Sequence, residues 1–266
     1  MQAPPPSPPP SSPPATDVAP ARRRGTVLLV FAGTPSSATL ATMLAAAANL
    51  GRTITSITVG VRTGAVLVTE PELARAAAAA RASDAAVVVV AGGTSARVVR
   101  RLTSAARLPV LVARTRQPWS TVVSATDLQA PGTPVLAAGS AVAATRHAEF
   151  AVVHNVTPAW QEAAALDSTG GTVAAHVARR LRRLARLAAA VTPTPAVVVC
   201  AGPEAPRAIV DACVARGADL VVVGMRRPRA TRTDRCADHV VASTPGNVLV
   251  VPLGARRRAR AVEVTA

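Results

Sequence analysis

The stretch Ala218–Pro252, ADLVVVGMRRPRATRTDRCADHVVASTPGNVLVVP, restricts the fold more than any other part of the chain. Leu220–Val223, with Gly224 behind it, has the length and β-branching of a fully buried parallel strand. Asp234–Ala242 predicts one short helix, Thr244-Pro245-Gly246 stops it, and Asn247–Val251 reads as a second buried strand. Strand, loop, helix, strand makes a right-handed βαβ unit. Its loop, Gly224 to Arg235, leaves the carboxyl end of the first strand, which is where open α/β sheets bind their ligands. The functional question therefore turns on what that loop can hold.

The same alternation runs back through the chain. Residues 1–24 are proline-rich and almost free of large apolar side chains, so they read as a disordered, polyproline-like tail that cannot offset its ordering entropy. From Gly25 the pattern changes. Strands are predicted over Thr26–Phe31, Thr53–Val61, Ala65–Val68, Ala86–Val90 and Pro109–Val112. Helices are predicted over Ser36–Leu50, from Glu70 to about Ser83, and over Ala96–Arg107. Arg114–Pro118 reads as a linker. Strands then follow at Ser120–Ala125, Phe150–His154 and Ala196–Cys200, with helices at about Gly132–His147, Thr172–Val191 and Glu204–Arg216. Strands alternating with helices imply parallel sheet.

The pattern also repeats. SDAAVVVVAGG with LPVLVA, in the first half, parallels GADLVVVGMRR with GNVLVVP in the second. The first copy lacks the long helix between its second and third strands, so the chain reads as a tandem duplication with a trimmed first half. The units are 25–114 and 115–254, and a basic tail occupies 255–266.

Both halves resemble universal stress protein domains: the second through ADLVVVG and the closing NVLVVP, the first more weakly. The resemblance implies two tandem open-sheet, Rossmann-like domains of the adenine nucleotide alpha-hydrolase type. Each would have five parallel strands in the order 3-2-1-4-5, and the two would pair through their last strands within the chain, with a homodimer as a further option. It also implies a stress-response role. Nucleotide-binding members place an Asp at the end of the first strand and a Gly-x-x-Gly-x9-Gly-Ser/Thr loop around ribose and phosphates, where glycines admit the phosphates and helix-start amides face them.

Carried over residue by residue, the resemblance marks Asp127 at the first-strand end, Asn155 and Val156 at the second-strand end, and Gly224 as the first loop glycine. Beyond Gly224 the pattern is lost. Arg227 stands at the second glycine, and Asp234-Arg235 stands where Gly-Ser/Thr belongs. In the first half Ala32 replaces the Asp, and the turn Gly92-Gly93-Thr94-Ser95 is too short for the loop. The nucleotide signature is thus degraded in both halves.

Two readings of the arginine loop stay open. Arg226, Arg227, Arg229, Arg232 and Arg235 form a solvated basic loop, or their guanidinium forks replace the missing backbone cradle and clamp a phosphate, making ATP or another adenine nucleotide the cofactor. Asp127 likewise either contacts adenine or only caps the next helix.

Net charge +16, carried entirely by arginine on the basic side, favours acidic partners. Arg179, Arg182, Arg183 and Arg186 line one face of the long helix, opposite Val177, Leu181, Leu184 and Ala188, which should face the sheet. With Arg256, Arg257, Arg258 and Arg260 they suggest a nucleic-acid footprint, but no aromatic side chains interleave for stacking. The four histidines fall in no nucleophile or metal motif, and Walker and GxSxG motifs are lacking, so no catalytic residue and no metal site is expected. Three cysteines without CxxC spacing, no apolar run of roughly 18–20 residues and no secretory pattern point to a reducing cytoplasm and no membrane span. The sequence reading is a non-enzymatic stress-response protein acting on an unidentified protein partner.

Overall fold

The computed structural model describes residues 26–30, 36–50, 70–82, 85–126, 128, 133–156, 173–226 and 232–253. Within them the valine-rich runs form strands β1 (Thr26–Val30), β2 (Ala85–Ala91), β3 (Val110–Ala113), β4 (Thr121–Ala125), β5 (Glu149–Val156), β6 (Ala196–Ala201), β7 (Leu220–Met225) and β8 (Asn247–Pro252). The alanine- and leucine-rich segments form helices α1 (Ser37–Asn49), α2 (Glu70–Ala82), α3 (Ala96–Ala106), α4 (Thr133–Arg146), α5 (Val173–Ala189), α6 (Ala205–Ala215) and α7 (Arg232–Ser243). The strands expected at 53–61 and 65–68, the proline-rich tail and the basic tail lie outside the described residues.

The strands make one sheet in the order β1-β2-β3-β8-β7-β4-β5-β6. Every pairing is parallel except β3 with β8. Where the resemblance implies two five-stranded parallel sheets, the described residues therefore hold a single mixed sheet of eight strands with one antiparallel step. The reason is at β3 and β8. Val110, Leu111 and Val112 sit opposite Val250, Leu249 and Val248, and all six side chains are buried. Burying a Val or Leu side chain contributes about 1.5–3 kcal/mol, so this joint lies within the core and not at an exposed edge.

The helices cover both faces. On one, α2, α3, α6 and α7 bring Leu73, Val99, Leu102, Ile209, Cys213 and Val240 onto Val88, Val123 and Val221. On the other, α1, α4 and α5 bring Met43, Leu136 and Leu184 onto Val89, Val122 and Val222. Helix α5 corrects one expectation: Leu184 and Ala188 are buried, but Leu181 is 38% exposed. Among the described residues strand β6 is one edge of the sheet, and its Val197 and Val199 stay exposed as well. The edge offers little surface to bury the earlier turns of α5.

The segment between β3 and β4 is pinned. The fully buried Asn247 at the start of β8 accepts from the backbone N–H of Arg114 at 2.8 Å and of Thr115 at 3.2 Å. Its amide nitrogen donates to Thr115 Oγ1 at 2.8 Å and to the Asp219 carbonyl at 3.3 Å. The Arg114 guanidinium donates to the carbonyls of Gly246 and Val241 near the end of α7. Burial pushes its pKa below the ordinary guanidinium value. Farther along, Gln117 accepts from Asn49, and Arg116 donates to Thr42 and to the Ala38 carbonyl of α1. Asp219 Oδ2 accepts from the Ser120 and Thr121 N–H groups, fixing the entry to β4.

Candidate functional site

In the second half β5 and β6 lie to one side of β4, and β7 and β8 to the other. The carboxyl ends of β4 and β7 thus flank the point where strand order reverses, the usual ligand crevice of an open parallel sheet.

At the β4 end, Thr126 is buried and its hydroxyl accepts from the Leu128 N–H at 3.1 Å. Leu128 has φ 59°, a left-handed conformation that a leucine adopts only at a cost in backbone strain, yet its side chain is buried. Beside it the buried His154 of β5 donates from Nδ1 to the Thr126 carbonyl at 2.9 Å. A carbonyl only accepts, so the contact fixes a proton on Nδ1. Neither Leu128 nor His154 was flagged by sequence. A leucine carries no signal for positive φ, and His154 is in no motif.

At the β7 end, Gly224 lies inside the strand, paired with Val251. A Cβ built there would stand 2.6 Å from Leu253 Cδ1 and 3.0 Å from Val135 Cγ2, so aliphatic side chains of the β8 exit and of α4 fill the space over this glycine. Helix packing explains its lack of a side chain, with no phosphate needed. Arg226 is half-buried and lines a shallow cleft with Thr103, Ser104, Arg107, Pro252 and Leu253. That cleft faces the carboxyl end of α3, whose dipole favours a cation.

The other sequence-predicted residues spread out. Asn155, near the end of β5, is buried, donates to the Gly202 carbonyl at 3.4 Å and accepts from the Cys200 thiol at 3.7 Å. Val156 ends β5 half-buried. Strand β4 stands between these two and the Gly224–Arg226 strand end. Arg235 belongs to the first turn of α7. Asp127, Arg227 and Arg229 lie outside the described residues. Among the described residues, no cluster of His, Cys, Asp and Glu could hold a metal ion, and no helix is long and apolar enough to cross a membrane.

The cysteines gather on one face of the sheet. Cys200 and Cys236 pack against the cluster that contains the buried Cys213. Desolvation, with Cys200 and Cys236 adding to it, pushes the Cys213 thiol up from 9.0 to about 12. The native chain then keeps a proton that the unfolded chain releases. This contribution to stability is whole below about pH 9 and is lost as pH rises toward 12. Urea midpoints should fall across that interval, and less steeply in Cys213→Ala. Equal slopes in the two proteins would discard the thiol as the cause.

Comparison with known proteins places this geometry. The model of the universal stress protein family matches residues 118–252. Among solved structures, a universal stress protein from Archaeoglobus fulgidus DSM 4304 is similar with TM-score 0.62 and 13% identity, over 86% of this chain and 99% of that one. A candidate universal stress protein from Pseudomonas aeruginosa UCBPP-PA14 is similar with TM-score 0.57 and 14% identity, over 86% and 82%. At such identities the likeness is one of fold. A search of the curated proteins finds no match.

Proposed function

This chain belongs to the universal stress protein family, and we propose that it serves stress response as a non-enzymatic regulatory protein, a tandem pair of such units that acts by binding a protein partner. The observation that carries the reading is Gly224. In the degraded loop it is the one glycine left to admit a phosphate, and Leu253 and Val135 fill the space it opens. As a phosphate cradle of the glycine-loop kind, the described residues do not fit. The tandem part is supported by strand order. Strands β4 to β8 lie as β6-β5-β4-β7-β8, β1 to β3 lie in sequence, and the two sets meet last strand to last strand at β8 and β3. In this reading the first half serves mainly as the structural mate of the second.

A second reading is favoured by Leu128. Strained backbone at a strand end is often kept for a ligand, and Leu128 borders the β4–β7 crevice. There the arginines would hold an adenine nucleotide side-on, with Asp127 at the base. Calorimetric titration of the full-length protein with ATP separates the two readings. No saturable heat is expected. Saturable binding that Asp127→Ala abolishes would establish the second reading in place of the first.

A further inference from the structure

We infer that Arg100 and Asp238 form a partner-selecting charge pair, placed so that the two halves of this chain mate with each other rather than each with its own kind. The inference rests on the tandem reading above. Strands β3 and β8 run antiparallel with Leu111 opposite Leu249 at the centre of their register, so a local two-fold axis passes through that pair. Arg100 and Asp238 each stand eleven residues ahead of it in sequence. Burial supports their equivalence: at the same offset Val99 matches Ala237, Leu102 matches Val240, Thr103 matches Val241 and Ala106 matches Thr244, and all are buried.

Across this axis Arg100 Nε donates to Asp238 Oδ1 at 3.0 Å, and a second guanidinium nitrogen reaches Oδ2. A residue beside a two-fold axis meets its own equivalent in a symmetric pair. Two second halves joined through β8 in this geometry bring Asp238 to Asp238. Two first halves joined through β3 bring Arg100 to Arg100. Only the mixed pairing sets opposite charges face to face, in the bidentate form that suits Arg and carboxylate.

The strand contact cannot make that choice. Residues 110–112 and 248–250 are both Val-Leu-Val, so the strand joint is equally adhesive in like and unlike pairings. Charge decides where the strand joint is indifferent, because like charges set together reject the wrong partner.

Charge reversals in the full-length chain reproduce the rejected pairings. Arg100→Asp installs the contact of two second halves, and Asp238→Arg that of two first halves. At low salt each reversal should lower the unfolding midpoint by roughly 4 °C beyond the matching alanine variant, Arg100→Ala or Asp238→Ala. The gap should shrink in molar salt, where screening is short-ranged. The swap R100D/D238R should recover most of the loss. Reversals no worse than the alanine variants, or a swap that fails to recover, would overturn the pair as a selector. The joint itself is tested separately by Leu111→Cys with Leu249→Cys, oxidised and read by peptide mapping. Absence of a 111–249 disulfide would remove the strand joint and the tandem reading with it. A cross-link without any charge effect would remove the selector alone.

Discussion

Asn247→Ala is expected to lower the free energy of unfolding by about 3 kcal/mol or more, the scale at which several buried hydrogen-bonding groups lose their partner at once. The amide is completely buried and makes four side-chain hydrogen bonds, three of them to Arg114 and Thr115 in the segment between β3 and β4. Alanine leaves the Arg114 and Thr115 N–H groups without the side-chain oxygen that accepts from both. The loss should appear as a shift of the urea midpoint with little change in slope, since the same surface is exposed on unfolding. A loss below 1 kcal/mol, the ordinary size for a surface substitution, would mean that water or neighbouring groups satisfy the linker and that Asn247 does not fasten it.

Gly139→Val should be comparably severe. Helix α4 lies so close to β4 and β5 at this point that a Cβ on Gly139 would stand 2.1 Å from Ser124 Oγ and 2.8 Å from Phe150 Cε2. Ser124 is fully buried and donates to the Val135 carbonyl of the same helix at 3.2 Å, so its rotation would break a buried bond. A valine must push α4 off the sheet. Overpacking of this kind costs about 1–3 kcal/mol where neighbours can yield, and here the nearest ones are a bonded hydroxyl and a packed ring. Ala137→Val, exposed on the same helix, supplies the control and should cost under about 1 kcal/mol. Similar midpoints for the two valine variants would show that α4 has room to move.

These two positions mark the limit of what could be read in the letters. Strands and helices were legible because their signals are local. Val87–Val90, Leu220–Val223 and Val248–Val251 are valine-rich runs of strand length, and observed ends differ from expected ones by about two residues at most. Gly139 was hidden because its need for a bare Cα comes from Ser124 and Phe150, on strands reached only through the fold. Asn247 reads in the sequence only as the first residue of a strand, and its bonds to Arg114 and Thr115 span more than 130 residues of chain. Leu181 fitted the helical period of a buried face, yet the sheet edge gives that turn too little to pack on. Of the candidate site, the strand ends were legible from the βαβ pattern. The burial of His154 against Thr126, the left-handed Leu128 and the aliphatic cover over Gly224 were not, since each depends on neighbours from other elements.

We propose that the crevice at the carboxyl ends of β4 and β7 carries no working nucleotide cradle and that function lies in partner binding. To test it, the purified full-length protein is denatured and the supernatant is resolved by anion-exchange chromatography for adenine nucleotide. The expected result is none above trace. Near-stoichiometric nucleotide would contradict the account: the β4–β7 crevice would then be a loaded site in which arginine side chains replace the missing glycines.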